Sequence, residues 1–177
     1  MHDWNVVATA RPGRYAQARA WLERLGPVAE TGYYNVLVMR VDDPLSLPER
    51  VLAARDPDFD RAIGRLVPVV ARFRFQRPEE FEARARQAAE GFADALAGRS
   101  FHVRMHRRGF RGRLSSQHEE QFLDHHLLET LAARGAPGRI DFRDPDAILV
   151  VESLGQEAGM SLWTREQMAR YPFLRPD

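Results

Sequence analysis

Residues 99–113 contain six arginines and two histidines but no carboxylate, although the formal net charge of the 177-residue chain is only +1. Arginine carries a planar, permanently charged guanidinium group that binds phosphate oxygens through two N–H groups at once. Crowding these groups costs electrostatic energy unless an anion or nearby carboxylates offset it. The segment therefore predicts either a phosphate-binding surface or a solvated edge whose arginines pair with carboxylates such as Glu79, Glu80, Asp141 and Asp144.

The local pattern places these arginines on a strand, on a turn and at a helix start. Because side chains alternate along a strand, the apolar residues of 101–105 share one face and Arg104 lies on the other. The turn that follows leads to Ser116 and Glu119, whose spacing predicts a capping box. A helix start presents N–H groups and partial positive charge to an anion, so the turn is a candidate anion site.

Phosphate neutralisation by such a surface is the source of sequence-independent affinity for nucleic acids. A second group of arginines alternates with Phe73 and Phe75 and extends the surface if it lies near the turn. Phe110 is a candidate either for stacking on a base or for the core. The predicted RNA-binding residues are Arg104, Arg107, Arg108, Arg111, Arg113, Ser115 and Ser116, together with Arg72, Arg74 and Arg77.

The spacing of the six histidines does not predict a metal site. His102 and His106 share a strand face but lie about 13 Å apart along it, too far for one ion with ligands at about 2 Å. His118 and His125 are two turns apart on the predicted helix, and no histidine pair there has the i, i+4 spacing of helical zinc sites. We therefore predict neither a metal nor a cofactor.

Other common catalytic patterns are also missing from the sequence. There is no cysteine, no lysine, no phosphate-binding glycine loop and no G-x-S-x-G elbow. Helix capping accounts for Ser115 and Ser116 better than a serine nucleophile does, and the Asp-Pro-Asp of residues 144–146 is ordinary turn chemistry. We therefore predict that the protein is not an enzyme.

Hydrophobic periodicity predicts a mixed α/β (α+β) chain in two halves. Residues 1–75 follow the order β-α-β-β-α-β of a ferredoxin-like domain, with "RLVPVVARFRF" (65–75) as the last strand. Residues 76–177 begin with an alanine-rich helix and continue through the arginine strand, a helix from Ser116 and three further strands. No apolar run reaches the ~18 residues of a membrane span and no leader is evident, so we expect a cytoplasmic protein without membrane contact.

The order and spacing of several segments resemble a THUMP-domain protein with its N-terminal ferredoxin-like domain. The resemblance rests on "RLVPVVARFRF", "SFHVRMHRRG" ahead of "LSSQHEE", "IDFRDPDAILVVE" and "GMSLWT". It implies RNA binding, chiefly of tRNA, by a THUMP-type α/β half with a mixed sheet. The family's basic strand-turn positions correspond to Arg104, Arg107 and Arg108, and its helix-start serines to Ser115 and Ser116.

The resemblance also implies a role. THUMP domains usually deliver tRNA to a fused catalytic domain, and this chain is more similar to the stand-alone branch that assists a separate tRNA-modifying enzyme, an RNA cytidine acetyltransferase. One alternative is a protein-interaction adaptor of such an enzyme with weak RNA contact, docking through Trp163 and the C-terminal "YPFLRPD". Another is an enzyme with its own chemistry on RNA.

Overall fold

The first 70 residues form a four-stranded antiparallel sheet in the computed structural model, which describes residues 1–176. The spatial order of its strands is β2-β3-β1-β4. Every neighbouring pair is antiparallel, as a ferredoxin-like fold requires. This arrangement confirms the predicted fold of the first half. The strands are β1 (Val6–Ala10), β2 (Val28–Glu30), β3 (Val36–Met39) and β4 (Ile63–Pro68).

Three helices connect these strands, one more than the sequence predicts. The stretch predicted as one helix divides because Arg55 adopts a left-handed backbone conformation, with φ of 46°, and ends the first of two helices. The side chain of Asp56 then accepts a hydrogen bond from the N–H of Asp58 at 2.9 Å and begins the second. The helices are α1 (Tyr15–Leu22), α2 (Leu47–Ala54) and α3 (Pro57–Ala62), with a 3-10 turn at Pro44–Ser46.

The structure also differs from the sequence analysis at the junction of the halves. The predicted strand at 65–75 is two strands, β4 in the first sheet and β5 (Ala71–Arg74) in the second. Residues 168–175 pack with the first unit, where the ring of Phe173 lies 5.3 Å from that of Phe59. The first unit therefore comprises residues 1–70 and 168–175, and the second residues 71–167 and 176.

The second unit is built on a five-stranded mixed sheet in the order β5-β9-β8-β6-β7. Strand β6 runs parallel to β7 and β8, whereas β9 is antiparallel to both β8 and β5. Strands β5, β6 and β8 consequently run in one direction, and their carboxyl ends meet at one edge. The remaining strands are β6 (Ser100–His106), β7 (Arg139–Ile140), β8 (Ala147–Leu154) and β9 (Glu157–Thr164).

Helices cover one face of this sheet. Phe81, Leu123 and Leu127 are fully buried and form a core with the apolar side chains of β6 and β8. The odd-numbered residues of 101–105 all face this core, which agrees with the predicted alternation. These helices are α4 (Pro78–Glu90), α5 (Ala93–Leu96) and α6 (Ser116–Ala133). The chain continues after β9 with α7 (Arg165–Arg170), which begins in the second unit and ends in the first, and with a 3-10 turn at Pro172–Leu174.

Two carboxylates of α6 bind the outer edge of β6. Strand β7 pairs only with the first two residues of β6, so the later N–H groups on that side face no strand. The side chain of Asp124 accepts from the N–H of Val103, and that of Glu120 from the N–H of Met105, both at 2.8 Å. The distance along α6 between Glu120 and Asp124, one helical turn, thus matches the distance along β6 between the N–H groups of residues 103 and 105.

No helix within residues 1–176 has both the length and the apolar character that crossing a membrane requires.

Candidate nucleic-acid interface

The arginine turn, residues 107–113, follows β6 and lies at the edge of the sheet where β5, β6 and β8 end. The N–H of Gly155, in the tight turn between β8 and β9, donates to the carbonyl of Arg108 at 2.8 Å. The next residue, Gln156, accepts from the N–H of Phe75 at 2.9 Å. These two bonds hold the arginine turn and the end of β5 against the same hairpin. All ten predicted RNA-binding residues belong to this second unit.

Phe110 anchors the arginine turn to the core. Its ring centroid lies 5.0 Å from that of Phe75, which is fully buried. The guanidinium of Arg113 covers the Phe110 ring at 4.7 Å from its centroid, a cation–π contact. Phe110 itself has φ of 53°, a conformation that a bulky residue adopts only when its surroundings compensate the strain. Its ring therefore serves in packing.

Four of the predicted arginines are exposed at this edge. Within residues 1–176, none of the four has a carboxylate within 4 Å, so their guanidinium groups can bind an external anion. They come from two places, the end of β5 with the loop after it, and the turn after β6. They are Arg74, Arg77, Arg111 and Arg113. Arg107 is half-buried and donates to the carbonyl of Gly109.

The side chain of Arg108 is mostly buried and forms an ion pair with Glu152. Its guanidinium donates to the carboxylate of Glu152 at 2.6 Å, and the two side chains are 14% and 0% exposed. The Nδ1 of His106 lies 3.3 Å from the other oxygen of the same Glu152 carboxylate. The expectation that Arg108 is an exposed phosphate ligand does not fit this geometry, because a buried carboxylate requires a cationic partner.

Arg104 and Arg72 also lie close to carboxylates, on the face of the sheet away from the helices. Arg104 is 3.8 Å from Glu120 and its side chain remains 43% exposed. Arg72 is 3.7 Å from Glu157 and less exposed. At these distances the pairs are looser than that of Arg108. Arg104 therefore keeps enough exposed surface to contact an additional ligand.

Three of the four carboxylates that the sequence analysis considered as partners have other contacts. Glu80 accepts from the N–H of Gln76 at 2.8 Å at the start of α4. Asp141 accepts from the N–H groups of Arg143 and Asp144, and these bonds lower the pKa of its carboxyl. Asp144 pairs with Arg165 at 2.7 Å. The exposed arginines at the edge are thus not neutralised by these groups.

The cap of the helix after the turn is Ser115, one residue before the predicted cap, Ser116. The hydroxyl of Ser115 accepts from the N–H of His118 at 3.2 Å, and Ser116 is the first helical residue. Ser115 is exposed and Ser116 half-buried. Glu119, predicted to complete a capping box, is instead 2% exposed and lies beside Glu82 of α4. Burial, with the neighbouring Glu82 second, raises the pKa of Glu119 to about 8.

Solved structures with this architecture include three that cover about 90% of the chain. PH1313 from Pyrococcus horikoshii matches with a TM-score of 0.58 and 11% identity over 90% of the chain. TrmN from Thermus thermophilus matches with a TM-score of 0.60 and 23% identity over 89%. A 4-thiouridine synthetase in complex with RNA and ATP matches with a TM-score of 0.58 and 14% identity over 92%. The fold is THUMP-like.

The chain spans 54%, 44% and 42% of those three structures, or about half their length. No family model and no curated protein sequence matches it. At these identities the likeness establishes the THUMP-like fold.

The matches overturn the prediction that the protein is not an enzyme. Other structures sharing the THUMP-like fold include SMU.472, described as a putative methyltransferase complexed with SAH, at a TM-score of 0.52 and 15% identity. Two more are described as a possible methylase and a predicted N6-adenine-specific DNA methylase. Several structures with this fold are therefore described as enzymes, and the lack of familiar catalytic motifs in the sequence was not a sufficient reason to predict a non-enzyme.

Proposed function

We propose that this chain is an RNA-binding part of an RNA-modifying enzyme and that the RNA it holds is tRNA. The observation that carries the proposal is the set of four exposed arginines at the carboxyl edge of the mixed sheet, with no carboxylate partner in residues 1–176. They stand beside the hairpin and the turn that leads into α6. Forked cations fixed in this way bind phosphate oxygens and keep their charge at any physiological pH.

The arrangement fits an RNA backbone better than a single small anion. The exposed arginines come from two segments on either side of the β8–β9 hairpin, so several phosphates can be contacted at once. Phe110 is engaged in packing and its ring is covered by Arg113, so the surface supplies charge rather than an exposed aromatic platform. Binding of this kind follows the backbone and depends strongly on salt.

The likeness to structures described as enzymes supports the second part of the proposal. One structure with this fold is a 4-thiouridine synthetase in complex with RNA, one is described as a putative methyltransferase and one as a possible methylase, and another is described as a predicted N6-adenine-specific DNA methylase. In this proposal the chain holds tRNA so that a nucleotide reaches a catalytic centre. Arg104, Arg107 and the capping Ser115 lie next to the exposed arginines and complete the surface.

Binding of tRNA at several salt concentrations tests the proposal. With four phosphate contacts on a single-stranded segment, log K should fall against log salt with a slope of about −3. Replacing Arg111 and Arg113 together by alanine removes two contacts, which reduces the slope by about 1.4 and the affinity at 0.1 M salt by about 25-fold. Fluorescence anisotropy with labelled tRNA measures both quantities.

A matched control is Arg50→Ala with Arg86→Ala, which removes the same charge from exposed helical positions elsewhere. This control should keep the slope of the wild-type chain. Equal losses in the two double variants would show that binding depends only on net charge, and an unchanged affinity in the Arg111 and Arg113 variant would contradict the proposed surface. Competition by a helical RNA duplex tests the preference for tRNA, because a duplex that competes equally well would refute it.

A further inference from the structure

Three potential metal ligands from α4 and the first turn of α6 converge behind the arginine turn. They are Glu82, His118 and Glu119, and one ligand atom of each lies within 4.8 Å of the other two. The Nε2 of His118 is 3.4 Å from a carboxylate oxygen of Glu82. Ligand atoms held at about 2.1 Å around a tetrahedral ion lie about 3.4 Å from one another, so this pair already has a suitable separation.

The second observation is the environment of Glu119. Its side chain is almost wholly buried, and within residues 1–176 no N–H or O–H group donates to its Oε2 atom. The Glu119 carboxyl group lies beside a second carboxylate, Glu82, which increases the cost of ionising it. A buried carboxylate in this position requires a proton or a cation on the side facing Glu82.

A proton accounts for only part of the arrangement. A protonated Glu119 can donate to Glu82, and this bond contributes, after burial and charge, to the raised pKa of Glu119. It does not involve the imidazole that completes the cluster. One imidazole nitrogen with two carboxylate oxygens is a donor set that suits zinc and its neighbours among the divalent transition metals.

The adjacent carboxylates of α6 are not alternative ligands. Glu120 and Asp124 each accept an N–H of β6 at 2.8 Å, and Asp124 is buried. The ligand set is therefore confined to the three converging side chains. His118 is two-thirds exposed, which provides a path from solvent for the ion.

We propose that Glu82, His118 and Glu119 bind one divalent metal ion of the zinc type, with water completing its coordination. The ion links α4 to the first turn of α6 and neutralises two carboxylates behind the arginine turn. This inference stands apart from RNA binding, because it depends only on the three ligands.

The test uses the full chain freed of metal with a chelator and then titrated with zinc chloride by isothermal calorimetry. We expect saturable binding of one ion per chain. Substitution of cobalt for zinc gives an absorption spectrum that reports the coordination.

Glu82→Gln and Glu119→Gln should each weaken binding at least tenfold. The amide that Glu119→Gln introduces can donate to Glu82, so this variant should fold, and circular dichroism verifies this. His118→Ala, at an exposed position, provides a second variant should either glutamine variant fail to fold. The matched control is His125→Gln, because His125 forms an exposed pair with Glu129 at 3.0 Å and should leave the affinity unchanged. No saturable binding, or equal affinity in the control and in the cluster variants, would overturn the proposal.

Discussion

Replacing Arg108 by alanine is expected to lower the free energy of unfolding by about 3 kcal/mol. Arg108 is 14% exposed and its partner Glu152 is fully buried, with 2.6 Å between nitrogen and oxygen. Removing one member of a buried ion pair typically costs about 3–5 kcal/mol, because the other charge is left without compensation. The lower end applies here, because the Arg108 side chain is 14% exposed and solvent partly screens the pair.

The measurement is urea denaturation followed by circular dichroism, on Arg108→Ala, Glu152→Gln and the double variant. The double variant should lose less than the sum of the single losses, since it leaves no unpaired charge, and the difference is the coupling energy of the pair. We expect a coupling of at least about 1.5 kcal/mol. Arg111→Ala is the matched control and should stay within about 0.5 kcal/mol of the wild-type chain, because Arg111 is exposed. An Arg108→Ala variant as stable as this control would refute the structural role, and Arg108 would again be a candidate for RNA contact.

Two other perturbations follow from the first turn of α6. In the presence of chelator, the free energy of unfolding should fall as pH rises from about 4.5 to about 8, because folded Glu119 keeps a proton that the unfolded chain releases. Burial also raises the pKa of Asp124 to about 7, so Glu119→Gln should reduce this decline without abolishing it. Denaturation at pH 5, 7 and 9 measures the slope, and an equal slope in both proteins would contradict the assignment. Ser115→Ala should cost about 1 kcal/mol through loss of the helix cap. Ser116→Ala should cost less than about 0.5 kcal/mol. If thermal unfolding shows that Ser116→Ala is the more destabilising of the two substitutions, the cap is Ser116, as predicted from the sequence.

The sequence predicted the order of elements well because periodicity is a local property. One example is Thr164 and Gln167, whose spacing in the sequence predicts a capping box. The Thr164 N–H donates to the Gln167 side chain at 2.9 Å and the Gln167 N–H to the Thr164 hydroxyl at 3.2 Å, so the box is present. By contrast, periodicity could not separate β4 from β5, since residues 66–71 form one continuous apolar run that spans the end of β4 and the start of β5.

The site was predicted less completely, because charge partners depend on tertiary structure. The arginine cluster was evident from composition, but sequence spacing could not show that Arg108 would meet Glu152, 44 residues away, in a buried pair. The convergence of Glu82 with His118 and Glu119 was missed for the same reason. Its ligands lie on two helices, and only the packing of α4 against α6 brings them together. A search limited to i, i+4 histidine pairs within one helix could not detect it.

The carboxylates that bind the outer side of β6 have a consequence for self-association. An unpaired strand edge can recruit a strand from another molecule and start aggregation. Here the N–H groups of Val103 and Met105 are occupied by Asp124 and Glu120. An incoming chain would have to displace both of these hydrogen bonds before it could extend the sheet. Acidic side chains on a covering helix thus keep this end of the sheet closed to intermolecular pairing.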